Sequence, residues 1–278
     1  CEALLPFRNS INIAYMSHPK ASKTLLLEDL DNFLQQSGIG YLDVWFVITP
    51  GPGVLKEFSE AVHTARKDGK VRWAGITTHS LDRDVGTLTN SDSIVNVVMM
   101  AYNYLSPQKH SEILNMFHDA ELGITPMKPL AGKFYEATSQ KPDALLRWLA
   151  ADERIHSIPV IMTTTEQVEG NTAAIKFSLS EADRQKLQAL YPFNSPRFCR
   201  MCGACDGKCP KGLAISDLVR TAMYVDGYKD NYLARSNFLL IPEKNRRIYC
   251  DQCEHCTVVC PNDIAIQERI CSVKRWLV

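Results

Sequence analysis

The sequence lacks several things at once. Its 31 Lys+Arg balance 31 Asp+Glu, so there is no net charge, which argues against a generally basic, nucleic-acid-coating protein. The longest apolar runs, such as Leu42–Ile48 with Asp43 inside, fall far short of a membrane span. The opening CEALLPFRNS has no basic stretch followed by an apolar one, so no secretory signal is visible. No initiator Met is present either: the chain was processed, or the text begins partway into a longer product. A cytoplasmic protein is expected, the alternatives being export after folding or a lipid anchor through Cys1. No Gly-x-Gly-x-x-Gly follows any β-type run, which weakens a dinucleotide fold of that type. Cysteine is absent between Cys1 and Cys199, yet the chain has 10, and eight of them fall after residue 198 and before 261. With 45% hydrophobic and 22% charged residues, disorder, collagen and coiled coil are excluded as the main architecture.

What is present before the cysteines is a rhythm. Short β-type runs at Ile11–Ser17, Tyr41–Ile48, Val71–Thr78, Ile94–Asn103, Ile124–Leu130 and His156–Met162 alternate with helical patterns. The helical patterns are Thr24–Gln36, Val54–Lys67, Leu81–Leu88, Ser111–Ala120, Asp143–Ala151 and Glu166–Ala174. Gly38, Gly69 and Gly123 follow three of these, as left-handed caps would. Strands alternating with helices mean βαβ units and a parallel sheet. Six units fit, where a (β/α)8 barrel needs eight. The expected fold class is α/β, a partial (β/α)8-like TIM barrel, with an open doubly wound sheet as the competing reading. Ser178–Tyr191 reads as a terminal helix with Ser180 as N-cap and Asp183 three residues on. Pro192 and Pro196 then mark a linker, dividing the chain into 1–195 and 196–278.

The tail holds 13 Lys+Arg against 9 Asp+Glu, and the rest of the chain 18 against 22, so an anionic group would suit the tail. Cys199, Cys202, Cys205 and Cys209-Pro210 form one C-x2-C-x2-C-x3-C-P run, and Cys250, Cys253, Cys256 and Cys260-Pro261 form another. This is the spacing of two-cluster ferredoxins, in which the fourth Cys of each run ligates the other cluster. One [4Fe-4S] cluster is therefore expected on Cys199, Cys202, Cys205 and Cys260. The second is expected on Cys250, Cys253, Cys256 and Cys209. Disulfides rarely come as two identical four-Cys runs, and zinc sites use two pairs. Arg200, Lys208, Lys211, Arg246 and Arg247 flank the ligands, with solvated surface charge as their default role. His255 lies inside a run, as a tuning hydrogen-bond donor or an exposed loop residue. The spacer between the runs reads as two helical patterns broken near Gly227. The tail thus resembles the α-helical type of two-cluster ferredoxin domain.

Several phrases occur in a telling order: Tyr41-Leu-Asp-Val-Trp45, Gly69-Lys-Val-Arg-Trp-Ala-Gly-Ile-Thr-Thr-His-Ser80, Tyr102-Asn-Tyr-Leu105, Met127-Lys-Pro-Leu-Ala-Gly132 and Glu166-Gln-Val-Glu169. With Met223-Tyr224 and Cys256-Thr-Val-Val-Cys260-Pro-Asn in the tail, the chain resembles the aldo/keto reductase family, in the subgroup with a C-terminal ferredoxin tail. The resemblance implies a (β/α)8 barrel that binds NADPH at the C-terminal strand ends and reduces carbonyls with an Asp-Tyr-Lys-His set. It also implies that the Asp and Tyr belong to units preceding Cys1. Met16 falls at the Lys position and Ile48 at the His position. Neither can support proton donation to a carbonyl. Ile161 stands where the family has a Gly before its cofactor loop, so NADPH binding is doubtful. Thr77, Thr78, His79, Asn103 and Lys128 sit at strand ends and remain as cofactor-binding candidates, with structural roles weighed beside each. For Lys128 that role is a buried salt bridge; for Tyr102, Tyr104, Met16, Met99 and Met100 it is core packing.

Three functions follow from these features. The first, favoured, is an iron–sulfur electron-transfer protein or subunit, with protein redox partners and no catalytic residues of its own. The second is an active oxidoreductase of the aldo/keto reductase family coupled to two clusters. The third is a non-redox iron–sulfur scaffold or sensor.

Overall fold

In a computed structural model, residues 2–18, 22–48, 52–78, 81–90, 93–106, 108–132 and 142–277 are described. Cys1 and His79 lie outside them. The chain divides into two compact units, one of residues 1–100 and 111–125, the other of 101–110 and 126–278.

A parallel sheet of five strands in sequence order, β1 (Ala14–Ser17), β2 (Leu42–Ile48), β3 (Val71–Thr78), β4 (Val97–Ala101) and β5 (Gly123–Met127), organises the first unit. Three of its pairings are parallel and in register, with Met16 beside Phe46, Ile48 beside Thr77 and Thr78 beside Met100. The α/β architecture expected from the alternating pattern is present. Helices α1 (Lys23–Ser37), α2 (Pro52–Lys67), α3 (Leu81–Leu88) and α4 (Gln108–Asp119) fall between the strands. Ser22 caps α1 by accepting from the Leu25 amide, and Gly38 ends it at φ 67°. Gly69 is also left-handed, but Gly123 opens β5 instead, and Glu121 (φ 55°) takes the left-handed position before it. Trp45, Phe58, Leu26, Leu30, Leu42 and Ile76 are fully buried between sheet and helices. Gly75 is required at its position: a Cβ there would lie 2.4 Å from the Phe46 ring.

One polar tie anchors the start of the sheet. Asp43 is 2% exposed; it accepts from the Ile13 amide at 2.8 Å and pairs with Arg8 at 2.9 Å and Arg72 at 3.0 Å. Arg8 also lies over the Tyr41 ring, 3.6 Å from its centroid.

The sixth expected strand, His156–Met162, is absent: among the described residues those positions carry no ladder. Ile158 and Val160 are half-buried while Pro159 and Ile161 are exposed, so the alternation of a strand is there without a partner strand. Pro159 also lacks the amide a ladder would use. The sheet holds five strands rather than six.

The second unit is helical: α5 (Asp143–Ala150), α6 (Thr165–Ala174), α7 (Glu181–Asn194), α8 (Ile215–Asp226), α9 (Asn231–Leu240), α10 (Glu243–Arg246) and α11 (Ile266–Leu277). Ser180 and Asp183 form a full capping box at the start of α7. Arg147 from α5 pairs with Asp183 at 2.7 Å. The spacer between the cysteine runs forms α8 and α9, which separate at Gly227 as its two-part pattern implied. Among the described residues, no helix is long and apolar enough to cross a membrane.

Candidate functional site

The second unit's core gathers around cysteine. Cys199 and Cys250 are buried, with Cys205, Cys209, Cys256, Cys260 and Cys271 packed at its edge beside Leu218, Val219, Met223 and Ile270. No disulfide joins the nine described cysteines; all have free thiols. A small cavity is lined by Cys199, Cys202, Cys205 and Cys260, and otherwise mainly by Met201, Val219, Ile264 and Ile266. Cys260 comes from the second run, yet it stands with the first three cysteines of the first. The converse holds at the other set, where Cys250 interacts electrostatically with Cys209 as well as with Cys253 and Cys256.

The surroundings suit a cluster. Burial, with neighbouring negative groups adding to it, pushes the Cys205 and Cys250 thiols up to about 12. Thiolates there need iron to balance their charge. Among the described residues, no three His, Cys, Asp or Glu side chains converge as around a single metal ion. A cubane asks for something different, one thiolate on each of four separate irons. Left-handed backbone at Met201, Gly203 and Gly207 bends the first run around its cavity.

Outer contacts fix the cysteines. The Asn262 amide donates to Cys260 Sγ at 3.4 Å, and Asn262 Nδ2 lies 3.8 Å from Cys202 Sγ. Gln267 Nε2 donates to the carbonyls of Cys250 and Cys253, both at 2.8 Å. Sequence reasoning missed Asn262 and Gln267 as supports; their closeness to Cys260-Pro261 is the available signal. Arg200 is not solvated charge: it is 5% exposed and donates to the carbonyls of Leu105, Phe198 and Ser195 and to Ser195 Oγ. Lys208, Lys211, Arg247 and His255 are exposed, as their default reading had it.

The strand-end candidates divide between the two units. Thr77 and Thr78, the last residues of β3, are both buried. Thr77 Oγ1 donates to Met16 Sδ at 3.7 Å, and Thr78 Oγ1 to Asp84 at 2.5 Å. Asn103 and Lys128 belong to the second unit, where Asn103 Nδ2 donates to the Lys128 carbonyl at 3.0 Å. Among the described residues, Lys128 does not form the buried salt bridge considered for it. Its Nζ lies 3.1 Å from Met201 Sδ and under 6 Å from the Tyr224 and Tyr228 ring centroids, at 5.6 and 5.9 Å. Burial, with Arg220 adding to it, pushes its ammonium down to about 8 against a smaller opposing pull from Cys199. Among the described residues, the buried Tyr228 hydroxyl has no hydrogen-bond partner. Ile48 ends β2, and the Ile161 side chain is 93% exposed.

Comparison with known proteins agrees with both halves. Residues 11–145 match the aldo/keto reductase family and residues 198–266 match the 4Fe-4S dicluster domain. No curated protein matches the chain. Among solved structures, an aldo/keto reductase from Klebsiella pneumoniae in complex with NADP and acetate is 23% identical, with a TM-score of 0.59, over 69% of this chain and 74% of its own. The holo form of aldo-keto reductase AKR11C1 from Bacillus halodurans is 19% identical, with a TM-score of 0.56, over 68% and 75%. Aldose reductase from Giardia lamblia is 15% identical, with a TM-score of 0.57, over 69% and 76%. The chain thus joins an aldo/keto reductase domain, on the parallel α/β fold of those TIM-barrel-like structures, to a C-terminal 4Fe-4S dicluster domain.

Proposed function

We propose that this chain is an iron–sulfur electron-transfer protein or subunit whose aldo/keto reductase scaffold no longer performs NADPH-dependent carbonyl reduction. One [4Fe-4S] cluster is held by Cys199, Cys202, Cys205 and Cys260, the other by Cys250, Cys253, Cys256 and Cys209. The observation that carries this is the crossing: Cys260 lines the cavity of the first run, and Cys209 neighbours Cys250. When bound, the clusters supply one-electron chemistry; the chain's own residues set their burial and hydrogen bonding. On this reading, residues 196–278 carry the electrons and 1–195 are the scaffold.

Met16 at the family's Lys position and Ile48 at its His position support the loss of hydride chemistry. A thioether that accepts from Thr77 and an aliphatic side chain at a strand end leave no acid there. A positioned acid contributes about 10²–10⁴-fold to such reactions. Electrons then come from and go to protein partners. Free thiols and iron–sulfur ligation suit the reducing cytoplasm.

The test is made on anaerobically purified protein. Close to eight irons and eight sulfides per chain are expected, with clusters that dithionite bleaches and NADPH does not. Rapid oxidation of NADPH with a simple aldehyde would restore the reading of an active aldo/keto reductase.

A further inference from the structure

Lys128 is a half-buried amine with no matching anion among the described residues. It follows β5 directly, and its carbonyl is held by Asn103 Nδ2 and by the Ala131 amide, each at 3.0 Å. Its backbone is left-handed, at φ 57°, and so is that of Met201, the residue its amine meets, at φ 53°. A left-handed conformation is uncommon in any residue but glycine and persists where the surroundings impose it. Two such residues therefore bring Nζ to Sδ at 3.1 Å. A thioether and two tyrosine faces are weak company for an ammonium. No carboxylate pairs with Lys128 among the described residues; of the charged groups that act on it the stronger, Arg220, has the same sign, and the weaker, Cys199, belongs to the first cysteine run. A buried charge of this kind is retained when an opposite charge stands nearby. Met201 lies between Cys199 and Cys202, so the amine is aimed at the first cysteine run.

Resting on the ligand assignment above, we infer that Lys128 is a positioning cation for the cluster of Cys199, Cys202, Cys205 and Cys260, raising that cluster's reduction potential over the other's. Reduction adds one electron to an already anionic group, and a fixed positive charge beside it favours that step. Among the described residues, no lysine meets the second run in this way. Its neighbouring Lys274 has a side chain 42% exposed and already pairs with Asp251 at 2.7 Å, and Lys211 is exposed to solvent. Solvent screens such charges.

The test is a redox titration of the fully loaded chain, followed by electron paramagnetic resonance, with Lys128→Met, Lys128→Gln and Lys128→Arg. The Met and Gln variants should lower the potential of one cluster about tenfold in its one-electron equilibrium, about 59 mV, and leave the other in place. The Arg variant should stay near the parent. Unchanged potentials in Met and Gln variants that retain eight irons would overturn the inference while leaving the two-cluster reading intact. Equal iron loss in all three variants would also overturn it, because Lys128 would then be serving the fold alone. Should Met alone fail to load, Gln gives the same reading with a polar side chain in place. A parent chain with fewer than eight irons would instead strike at the ligand assignment.

Discussion

The two compact units build their interiors from different materials. In the first, Trp45, Phe58, Leu42 and Ile76 are fully buried, Trp45 edge-on to Phe58, and the sheet supplies the backbone hydrogen bonds. In the second, two cysteines and Met201 belong to the core itself, at 8%, 7% and 6% exposure for Cys199, Cys250 and Met201. There the backbone is turned by left-handed residues and tied by arginine, as when Arg200 binds the carbonyls of Leu105, Phe198 and Ser195. An interior made of aliphatic and aromatic side chains is filled by the chain alone. An interior lined by four thiols with a cavity between them is completed by what it binds. The first unit should therefore fold without iron, and the second should depend on it.

The largest expected effect breaks the second unit only. Cys209→Ala should damage the cluster whose other ligands lie some forty residues on, at Cys250, Cys253 and Cys256. The cluster on Cys199, Cys202 and Cys205 should suffer less. Iron analysis and electron paramagnetic resonance read this directly. Loss of the local cluster with the distal one untouched would mean that the ligands do not cross. Circular dichroism should show the strand signal of the first unit preserved, which sharpens the contrast between the units.

The next effect strikes the first unit. Asp43→Ala removes a buried carboxylate and leaves the charge of Arg8, whose side chain is only 10% exposed, with the Ile11 and Tyr41 carbonyls but no counter-ion. Removing one partner of a buried pair costs about 3–5 kcal/mol. Arg72 is 58% exposed and should contribute little of that. Urea unfolding should show the loss in the transition of the sheet while iron content stays at the parent level. A variant that loses iron as readily as it loses stability would show the two interiors to be one.

How far each unit was legible in the sequence follows the same division. The sheet announced itself through period: Val71–Thr78 forms β3 over the expected residues, and Lys23–Ser37 extends the expected α1 by one residue at each end. His156–Met162 failed because a β-type pattern records which side chains want burial, not whether a neighbouring strand offers its backbone. In the tail, the spacing put Cys260 with the first run, and Cys260 lines a cavity together with Cys199, Cys202 and Cys205. What spacing could not carry was the support from elsewhere. Lys128 looked like a strand-end cofactor contact, yet its amine meets a methionine 73 positions later. Arg200 looked like surface charge because its acceptors are backbone carbonyls, which leave no trace in side-chain identity. Asn262 and Gln267 were silent for the same reason: their targets are sulfur and carbonyl oxygen.

The smallest effect is a pH dependence within the second unit's helical part, away from the cysteines. Asp183 sits at the third position of α7, closing the capping box with Ser180 and pairing with Arg147. Burial opposes its ionisation, but the Ser180 hydroxyl and amide and then the Arg147 guanidinium outweigh it, holding the carboxyl down to about 2. The sign follows from linkage: a carboxyl more acidic folded than unfolded stabilises the fold at every pH above its unfolded value near 4. That contribution is lost as pH falls from about 4 towards about 2, where Asp183 takes a proton in both states. Asp183→Asn should flatten this part of the stability curve, and Leu187, which packs with Leu145 beside the cap, should report it as a loosening of α7 against α5. Hydrogen exchange of the α7 amides between pH 5 and pH 3 checks the point, corrected for the intrinsic exchange rate. Protection that falls equally in the parent and in Asp183→Asn would show that the α5–α7 contact rests on its apolar residues and not on the cap.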